Sequence, residues 1–287
     1  MENLRASLLM IAAMGGFAIE DLFIKLLGQS FAPGQILFFL GAGGALIFGT
    51  IARAKGIALW HRDLLHPTMI WRNAGEVIGT AGFFSAVILA PLTVVSAIIQ
   101  VMPLAVTMGA ALVLGETVGW RRWAAILIGF TGVMLIIRPG TADFDPTSIL
   151  ALIGVLGLSV RDLATRAVPR GIPSLLMVTW GFGLLAPLGL ILLGFSGGAT
   201  LPDARGMLLA CAMLGSGACA YYMLTIATRI GDMSVVAPYR YSRLVFAMII
   251  GLTVFAERPD GMTLLGAGIV CAAGLYGFMR ERRARNL

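Results

Sequence analysis

The sequence predicts an all-α membrane protein with ten transmembrane helices arranged as two inverted five-helix repeats. Three observations carry that prediction. Hydrophobic residues fill 59% of the 287 positions and charged residues only 12%, with a mean hydropathy of +0.92, whereas a soluble domain is about 25% charged. Apolar runs recur from end to end, each long enough to cross a hydrocarbon core of about 30 Å at about 1.5 Å per residue. Four motifs then repeat at a single offset of 141 residues.

The apolar runs place the helices in order. Span 1 (5–27) starts almost at Met1 and lacks a small-residue cleavage site before its charges, so it reads as a retained helix rather than a signal peptide. It carries Glu20, Asp21 and Lys25 within GFAIEDLFIKLL. Span 2 (34–52) contains GAGGALIFG, and such small residues let helices approach closely in lipid. Span 3 (70–90) holds Glu76, and span 4 (93–114) follows Pro91 and contains Gln100 and Pro103. Span 5 (121–138) follows, then span 6 (147–166) with Asp162 and Arg166, and span 7 (174–195). Span 8 (206–228) contains Tyr221 and Tyr222; span 9 (233–255) contains Pro238, Tyr239, Arg240 and Arg243; span 10 (262–279) precedes a basic end. Proline lacks the N–H that a helix needs, so Pro91, Pro103 and Pro238 are expected to kink or open spans 4 and 9 and free carbonyls to line a cavity. No soluble domain fits between the spans. They are about twice the length of a barrel strand and do not alternate, which excludes a β-barrel.

The loops give the orientation. With a cytoplasmic N-terminus, the inner set is Arg5, Arg53, Lys55, Arg62, Arg72, Arg121, Arg122, Arg166, Arg170, Arg229, Arg280, Arg282, Arg283 and Arg285, fourteen in all; the outer loops hold three, Arg138, Arg205 and Arg258. That bias predicts both termini in the cytoplasm, in the cell inner membrane. It also accounts for the net charge of +7 without a nucleic-acid partner.

The 141-residue offset places Gly16 on Gly157, IEDLFIK (19–25) on VRDLATR (160–166), TVVSA (93–97) on SVVAP (234–238) and VLGE (113–116) on VFAE (254–257). Asp21 with Asp162, Lys25 with Arg166 and Glu116 with Glu257 are charged matches, which chance seldom provides in apolar sequence. The implied halves are 1–141 and 142–287. Five helices is an odd number, so the second half must enter the membrane inverted, and inverted repeats typify secondary transporters.

The stretch SVVAPYRYSRLVFAMIIGLTVFAERPDGMTLLGAGIVCAAGLY (234–276), echoed in VLGETVGWRRWAAILIGFTGVMLI (113–136), resembles the EamA repeat of the drug/metabolite transporter superfamily. That resemblance covers nearly the whole chain. It implies a central solute cavity and transport of small organic compounds such as amino acids, vitamins, nucleosides or drugs. FAIEDLFIK further resembles the riboflavin-uptake branch, making riboflavin the leading solute, with an amino-acid or drug/metabolite exporter as the alternative.

Asp21 and Lys25 share a helix face, as do Asp162 and Arg166, so a local ion pair in each half is one expectation and a gate on each side the other. Glu20 points about 100° away from Asp21 and its repeat mate is Arg161, of opposite sign; it is the candidate for proton coupling. Glu76 needs a partner or a proton, and Arg243 is its expected partner. Arg243, Tyr239, Glu76, Tyr222 and Gln100 form the expected solute site, the tyrosines stacking on a planar ring. Glu116 and Glu257 lie at turns, where capping the following helix is expected.

Other classes fit less well. His61 and His66, in the loop between spans 2 and 3, are the chain's histidines, and HExxH, CxxC and GxSxG are absent, so an enzyme is not expected. The glycines lack the setting of a nucleotide fingerprint. Cys211, Cys219 and Cys271 are odd in number and lie inside apolar spans, which argues against a disulfide framework. No cofactor or metal is expected; the partners are a small-molecule solute and the lipid bilayer, with a homodimer left open. A channel is the nearer competitor, separated by kinetics: a carrier saturates and a pore conducts ohmically. Reporter fusions at residue 60 and after residue 287 are expected to report the cytoplasm, and periplasmic activity at either point contradicts the topology.

Overall fold

The computed structural model describes the backbone at residues 2–169, 171–195, 198–230 and 233–285; the side chains of Arg170, Arg229, Arg280, Arg282, Arg283 and Arg285, all used in the charge count, lie outside the description. Twelve α-helices are present among the described residues: α1 (Glu2–Leu27), α2 (Pro33–Ala54), α3 (Pro67–Leu89), α4 (Leu92–Ile99), α5 (Met102–Val113), α6 (Trp120–Ile137), α7 (Ser148–Ala167), α8 (Ser174–Phe195), α9 (Ala204–Ile230), α10 (Met233–Val236), α11 (Ser242–Val254) and α12 (Gly261–Arg285). They trace the ten expected crossings, each boundary within a few residues. Spans 4 and 9 are each divided, as their prolines predict.

The divisions fall at repeat-equivalent positions. Span 4 breaks at Gln100–Val101, between α4 and α5, and span 9 passes through a 3-10 segment, Ala237–Tyr241, before α11 begins at Ser242. Pro103 sits in the first turn of α5, where its missing N–H costs nothing, and Pro238 opens the 3-10 segment in the same way. Among the described residues, eight crossings are long and apolar enough to span a bilayer by composition. The two that fall short are α3, which carries Arg72, Asn73 and Glu76, and the broken α10–α11 segment, which carries Arg240 and Arg243.

Backbones touch where the helices pair. The most extensive contacts join α3 to α7, α2 to α8, α1 to α9 and α6 to α12. Lipid is as apolar as leucine, so helices in a bilayer associate through close van der Waals contact, which small residues permit. A Cβ on Gly79 would lie 2.4 Å from the backbone nitrogen of Leu158, and one on Gly157 would lie 2.4 Å from that of Gly79. Gly41 meets Ala186 and Gly34 meets Leu193, while Gly132 lies against Gly266. Numbers rise along one helix of each pair as they fall along the other: Gly75, Gly79 and Gly82 face Arg161, Leu158 and Gly154 in turn. The pairs are antiparallel.

That direction demonstrates the inversion. α2 and α8 are repeat mates, as are α6 and α12, and mates that run antiparallel are what an inverted repeat requires. Exchanging the halves also turns the α3–α7 contact into the α1–α9 contact. Ten crossings return the chain to the face from which it started, so both ends of the described chain lie at one face, the terminal face, opposite a far face. Outward-pointing Leu46 (68% exposed) and Leu127 (64%) meet lipid rather than core.

Replacing Gly79 or Gly157 with valine is expected to lower the unfolding midpoint in detergent, at a cost of about 1–3 kcal/mol for overpacking. Gly268 faces open space, and Gly268→Ala is expected to leave the midpoint unchanged or raise it slightly.

Candidate functional site

The helix pairs enclose a cavity of about 540 Å³, the size of a pocket for a small organic molecule. Its charged lining comes from four elements: Glu20 and Asp21 on α1, Arg72 and Glu76 on α3, Arg161 and Asp162 on α7, and Arg240 and Arg243 at the broken helix of span 9. Phe17, Phe48, Phe83, Phe182 and Tyr221 supply aromatic walls. Toward the far face the lining ends at Asp21, Phe84 and Ile99, and beyond it Ile24, Val87, Leu92, Val95 and Ala247 are completely buried. Toward the terminal face it reaches Arg166, whose side chain is 55% exposed.

Two ion-pair systems organise the walls. Arg243 Nη2 lies 2.8 Å from each oxygen of the Asp21 carboxylate, and Nε donates to Oδ2 at 3.2 Å. Asp21 is 1% exposed, so this bidentate fork answers its charge where water does not reach. The guanidinium also lies 5.4 Å from the Phe17 ring and 5.1 Å from the Phe83 ring, both within cation–π range. In the second system Glu76 accepts from Arg72 Nη2 at 2.8 Å, Arg161 Nη1 at 3.1 Å and Thr80 Oγ1 at 3.2 Å. Arg161 Nε donates to Asp162 at 2.9 Å, and Arg72 Nη1 to the Met177 carbonyl at 2.6 Å. The chain Arg72–Glu76–Arg161–Asp162 therefore joins α3, α7 and α8.

Glu20 and Arg240 stand apart. Neither side chain makes a hydrogen bond or an ion pair among the described residues. The Glu20 carboxylate lies against Gly217, where a Cβ would collide with it. Glu20 and Gly217 are the repeat mates of Arg161 and Glu76, so one half holds an ion pair where the other leaves a lone acid against a bare backbone. Gln100 lines the cavity with its amide nitrogen buried and unpartnered.

The far face is fastened by a latch. Lys25 Nζ lies 3.2 Å from Glu257 and donates to the Ala90 carbonyl at 2.5 Å. Glu257 accepts from the backbone N–H groups of Leu92 at 2.6 Å and Thr93 at 2.9 Å, the first amides of α4. Burial pushes the Glu257 carboxyl up, but those amides and Lys25 outweigh it and hold the group below its ordinary range. Beside it Arg138 pairs with Asp260, which also caps α12 through the Thr263 N–H; the guanidinium and the Thr263 contacts hold Asp260 at about 2. At the terminal face, the repeat mates of Lys25 and Glu257 are Arg166 and Glu116. They are 3.8 Å apart and about half exposed, with side chains 55% and 51% accessible.

Several expectations require correction. Asp21 does not pair with Lys25: the guanidinium fork of Arg243 matches the carboxylate with two parallel donors, while Lys25, one turn nearer the far face, reaches Glu257. Asp162 does not pair with Arg166, because adjacent Arg161 takes it and Arg166 turns to Glu116. Glu76 does not meet Arg243; Arg72, four residues before it on the same helix, and Arg161 satisfy it instead. Tyr239 and Tyr222, 40% and 67% exposed, lie outside the cavity lining, and Tyr221 lines it in their place. Lys25 also lies outside it, in the latch. Glu257 caps α4 of the other half rather than the helix that follows it, and Glu116 makes its contact with Arg166. Glu20, Asp21, Glu76, Gln100, Asp162, Arg166 and Arg243 do line the cavity. Sequence reasoning missed Arg72, treated as a loop charge, although its i, i+4 spacing to Glu76 was visible, and it passed over Arg161 although the repeat placed it opposite Glu20.

A bundle of inverted halves around a charged, aromatic-walled cavity, sealed toward one face, is the construction of a membrane carrier. The chain belongs to the EamA-like transporter family, whose profile matches it twice, at residues 4–138 and 146–279. It is thus a multi-pass membrane transporter of small metabolites, not an enzyme. It is 23% identical over 275 residues to the S-adenosylmethionine uptake transporter of Rickettsia prowazekii, covering 94% of this chain and 90% of that one. It is 31% identical over 222 residues to the riboflavin transporter of Rhizobium johnstonii, covering 74% and 72%. A pseudopaline exporter of Pseudomonas aeruginosa is 25% identical, covering 93% of each. A solved crystal structure shares the fold, with a TM-score of 0.58 over 95% of this chain and 98% of that one, at 18% identity.

Removing Asp21 leaves Arg243 without its counter-charge. Asp21→Asn is expected to cost about 3–5 kcal/mol, the penalty for breaking a buried pair, read from unfolding in detergent. Asp21→Leu combined with Arg243→Met is expected to recover most of that loss. A double change no more stable than Asp21→Asn contradicts the pairing.

Proposed function

We propose that this chain is a secondary transporter that works by alternating access in the cell inner membrane, with both termini cytoplasmic and the cavity open to the cytoplasm in this conformation. One observation carries the reading: residues that match across the repeat are latched at one face and loose at the other. Lys25 and Glu257 close the far face over the first turn of α4. Arg166 and Glu116, the same chemistry at the inverted position, make only a longer, half-exposed pair at the mouth, 3.8 Å apart. An inverted repeat exchanges the conformations of its halves when it reverses its opening. The opposite state therefore closes Arg166 and Glu116 over the start of span 9 and releases Lys25 from Glu257. The halves 1–141 and 142–287 are the units that exchange, about the broken helices of spans 4 and 9.

The solute is a small metabolite with a planar ring, for which the aromatic walls and the Gln100 amide supply stacking and a hydrogen bond. Riboflavin and S-adenosylmethionine, named by two relatives, both fit that description. Glu20, the acid without a counter-ion, is the point at which positive charge is exchanged during the cycle. A sealed far face disfavours the channel alternative.

Side-specific labelling tests the latch. In a chain with its three cysteines replaced by serine, Thr80→Cys is expected to react with an impermeant thiol reagent from the terminal face alone. Adding Lys25→Gln or Glu257→Gln is expected to raise reaction from the far face at least several-fold. Equal labelling from both faces in the parent, or no change in the latch variants, contradicts the proposal. The pH sign follows from Glu257. Its folded-state value lies below its ordinary 4.5, so the latch is complete above about that pH and is lost as pH falls through the lower folded value. Acidification of the far face below that range is expected to reproduce Glu257→Gln.

A further inference from the structure

We infer that the cavity binds a solute carrying both a negative and a positive charge beside its planar ring, with Arg240 taking the anionic group and Glu20 the cationic one. The inference rests on the carrier reading and specifies the chemistry of the same site.

Inward of the mouth, four guanidiniums and four carboxylates line the cavity: Arg72, Arg161, Arg240 and Arg243 against Glu20, Asp21, Glu76 and Asp162. Asp21 holds Arg243, Glu76 holds Arg72 and Arg161, and Asp162 holds Arg161. Glu20 and Arg240 remain, opposite in sign and, among the described residues, unpaired. They do not answer each other. The charges acting on Glu20 are Asp21 and Arg243, whereas those acting on Arg240 are Asp162, Arg161 and Arg243.

Symmetry does not require either group. The repeat mate of Arg240 is Ile99 and that of Glu20 is Arg161, so both break the pattern that the Asp21–Asp162 match preserves. Gly217 leaves the Glu20 carboxylate room, since any side chain there would occupy its position. While the cavity is open, water screens both charges. Once a solute displaces that water and the mouth closes, an unanswered charge is costly. An uncharged solute leaves two such charges in the closed state. A zwitterion that spans them removes both and leaves the Asp21 and Glu76 pairs intact. The aromatic walls then hold the ring that connects its two ends.

The test uses the purified full-length chain and measures affinity by thermal shift or calorimetry, with counterflow in proteoliposomes. Two probe series separate the charges. S-adenosylmethionine is compared with its decarboxylated form, and L-tryptophan with tryptamine, which lacks the carboxylate, and with indole-3-propionate, which lacks the ammonium. Riboflavin and 5′-methylthioadenosine serve as uncharged rings. At least one zwitterion is expected to bind, and deleting one of its charges is expected to weaken it by about 10- to 100-fold, the worth of a charge-assisted hydrogen bond. Arg240→Gln is expected to weaken the zwitterion by a similar factor and leave the probe without a carboxylate unchanged, with Arg240→Lys partly restoring it. Glu20→Gln is expected to do the same for the probe without an ammonium.

Because the probe series is read on the unsubstituted chain, the inference stays open to refutation even if the variants do not fold. It is overturned if no zwitterion binds, or if charge deletion leaves affinity intact. It is also overturned if Glu20→Gln alters the pH profile of transport without altering discrimination among the probes. Counterflow of riboflavin with no zwitterion binding overturns the inference and leaves the carrier reading standing. Ohmic conductance without counterflow of any probe removes both.

Discussion

The site depends on backbone meeting backbone. Gly79 and Gly157 approach so closely that neither has room for a methyl group, and that approach brings Glu76 of α3 within 3.1 Å of Arg161 on α7. A side chain of ordinary size at either glycine would separate the helices by a few ångströms, and a salt bridge across the gap would fail before the fold did. In lipid no solvent drives apolar faces together, so close approach is both the adhesive and the means of alignment. The glycines carry no chemistry themselves. They set the distance at which the chemistry becomes possible.

The same constraint acts on the mirror-image contact. α1 meets α9 as α3 meets α7, but there the acid is Glu20 and its opposite number is Gly217. Keeping the backbone geometry while deleting one ion pair opens space and leaves a charge in it. Pseudosymmetry thus provides the frame, and departures from it mark where the protein meets something other than itself. Arg240 opposite Ile99 is a second such departure, and Arg243 opposite Met102 a third. Arg243 differs from the other two because Asp21 already answers it from within the chain.

Local pattern fixed the helices well and their partners poorly. Length and apolarity located all ten crossings, and the prolines located the breaks, because each depends on the residues of one segment. The 141-residue offset also disclosed the inversion, since an odd number of helices per repeat leaves no other arrangement. Ion pairs were different. Asp21 with Lys25 and Asp162 with Arg166 have good helical spacing, yet each of the four residues found a partner elsewhere. An i, i+4 pair is worth only about 0.2–0.5 kcal/mol, so a better-placed guanidinium displaces it: Arg243 from another helix for Asp21, and adjacent Arg161 for Asp162. Tyr222 illustrates the same limit: it and Tyr221 differ by about 100° of helix rotation, and only the packing of α9 against α1 decides which faces the cavity. Arg72 was hidden by the opposite error, because an arginine near a predicted helix end reads as a loop charge until the helix is seen to begin at Pro67, five residues before it.

On the proposed reading, the latches explain how a bundle held by so many contacts can still invert. Opening the far face releases an ammonium, a carboxylate and the first amides of α4. Closing the terminal face gives a guanidinium, a carboxylate and the first amides of span 9 similar partners. The interactions lost and gained are of one kind, so the two states lie close in free energy despite the size of the rearrangement. A solute then needs only a small difference in affinity between them to shift the population. What changes between the states is the access of water to Glu20 and Arg240, and with it the cost of leaving either of them unanswered.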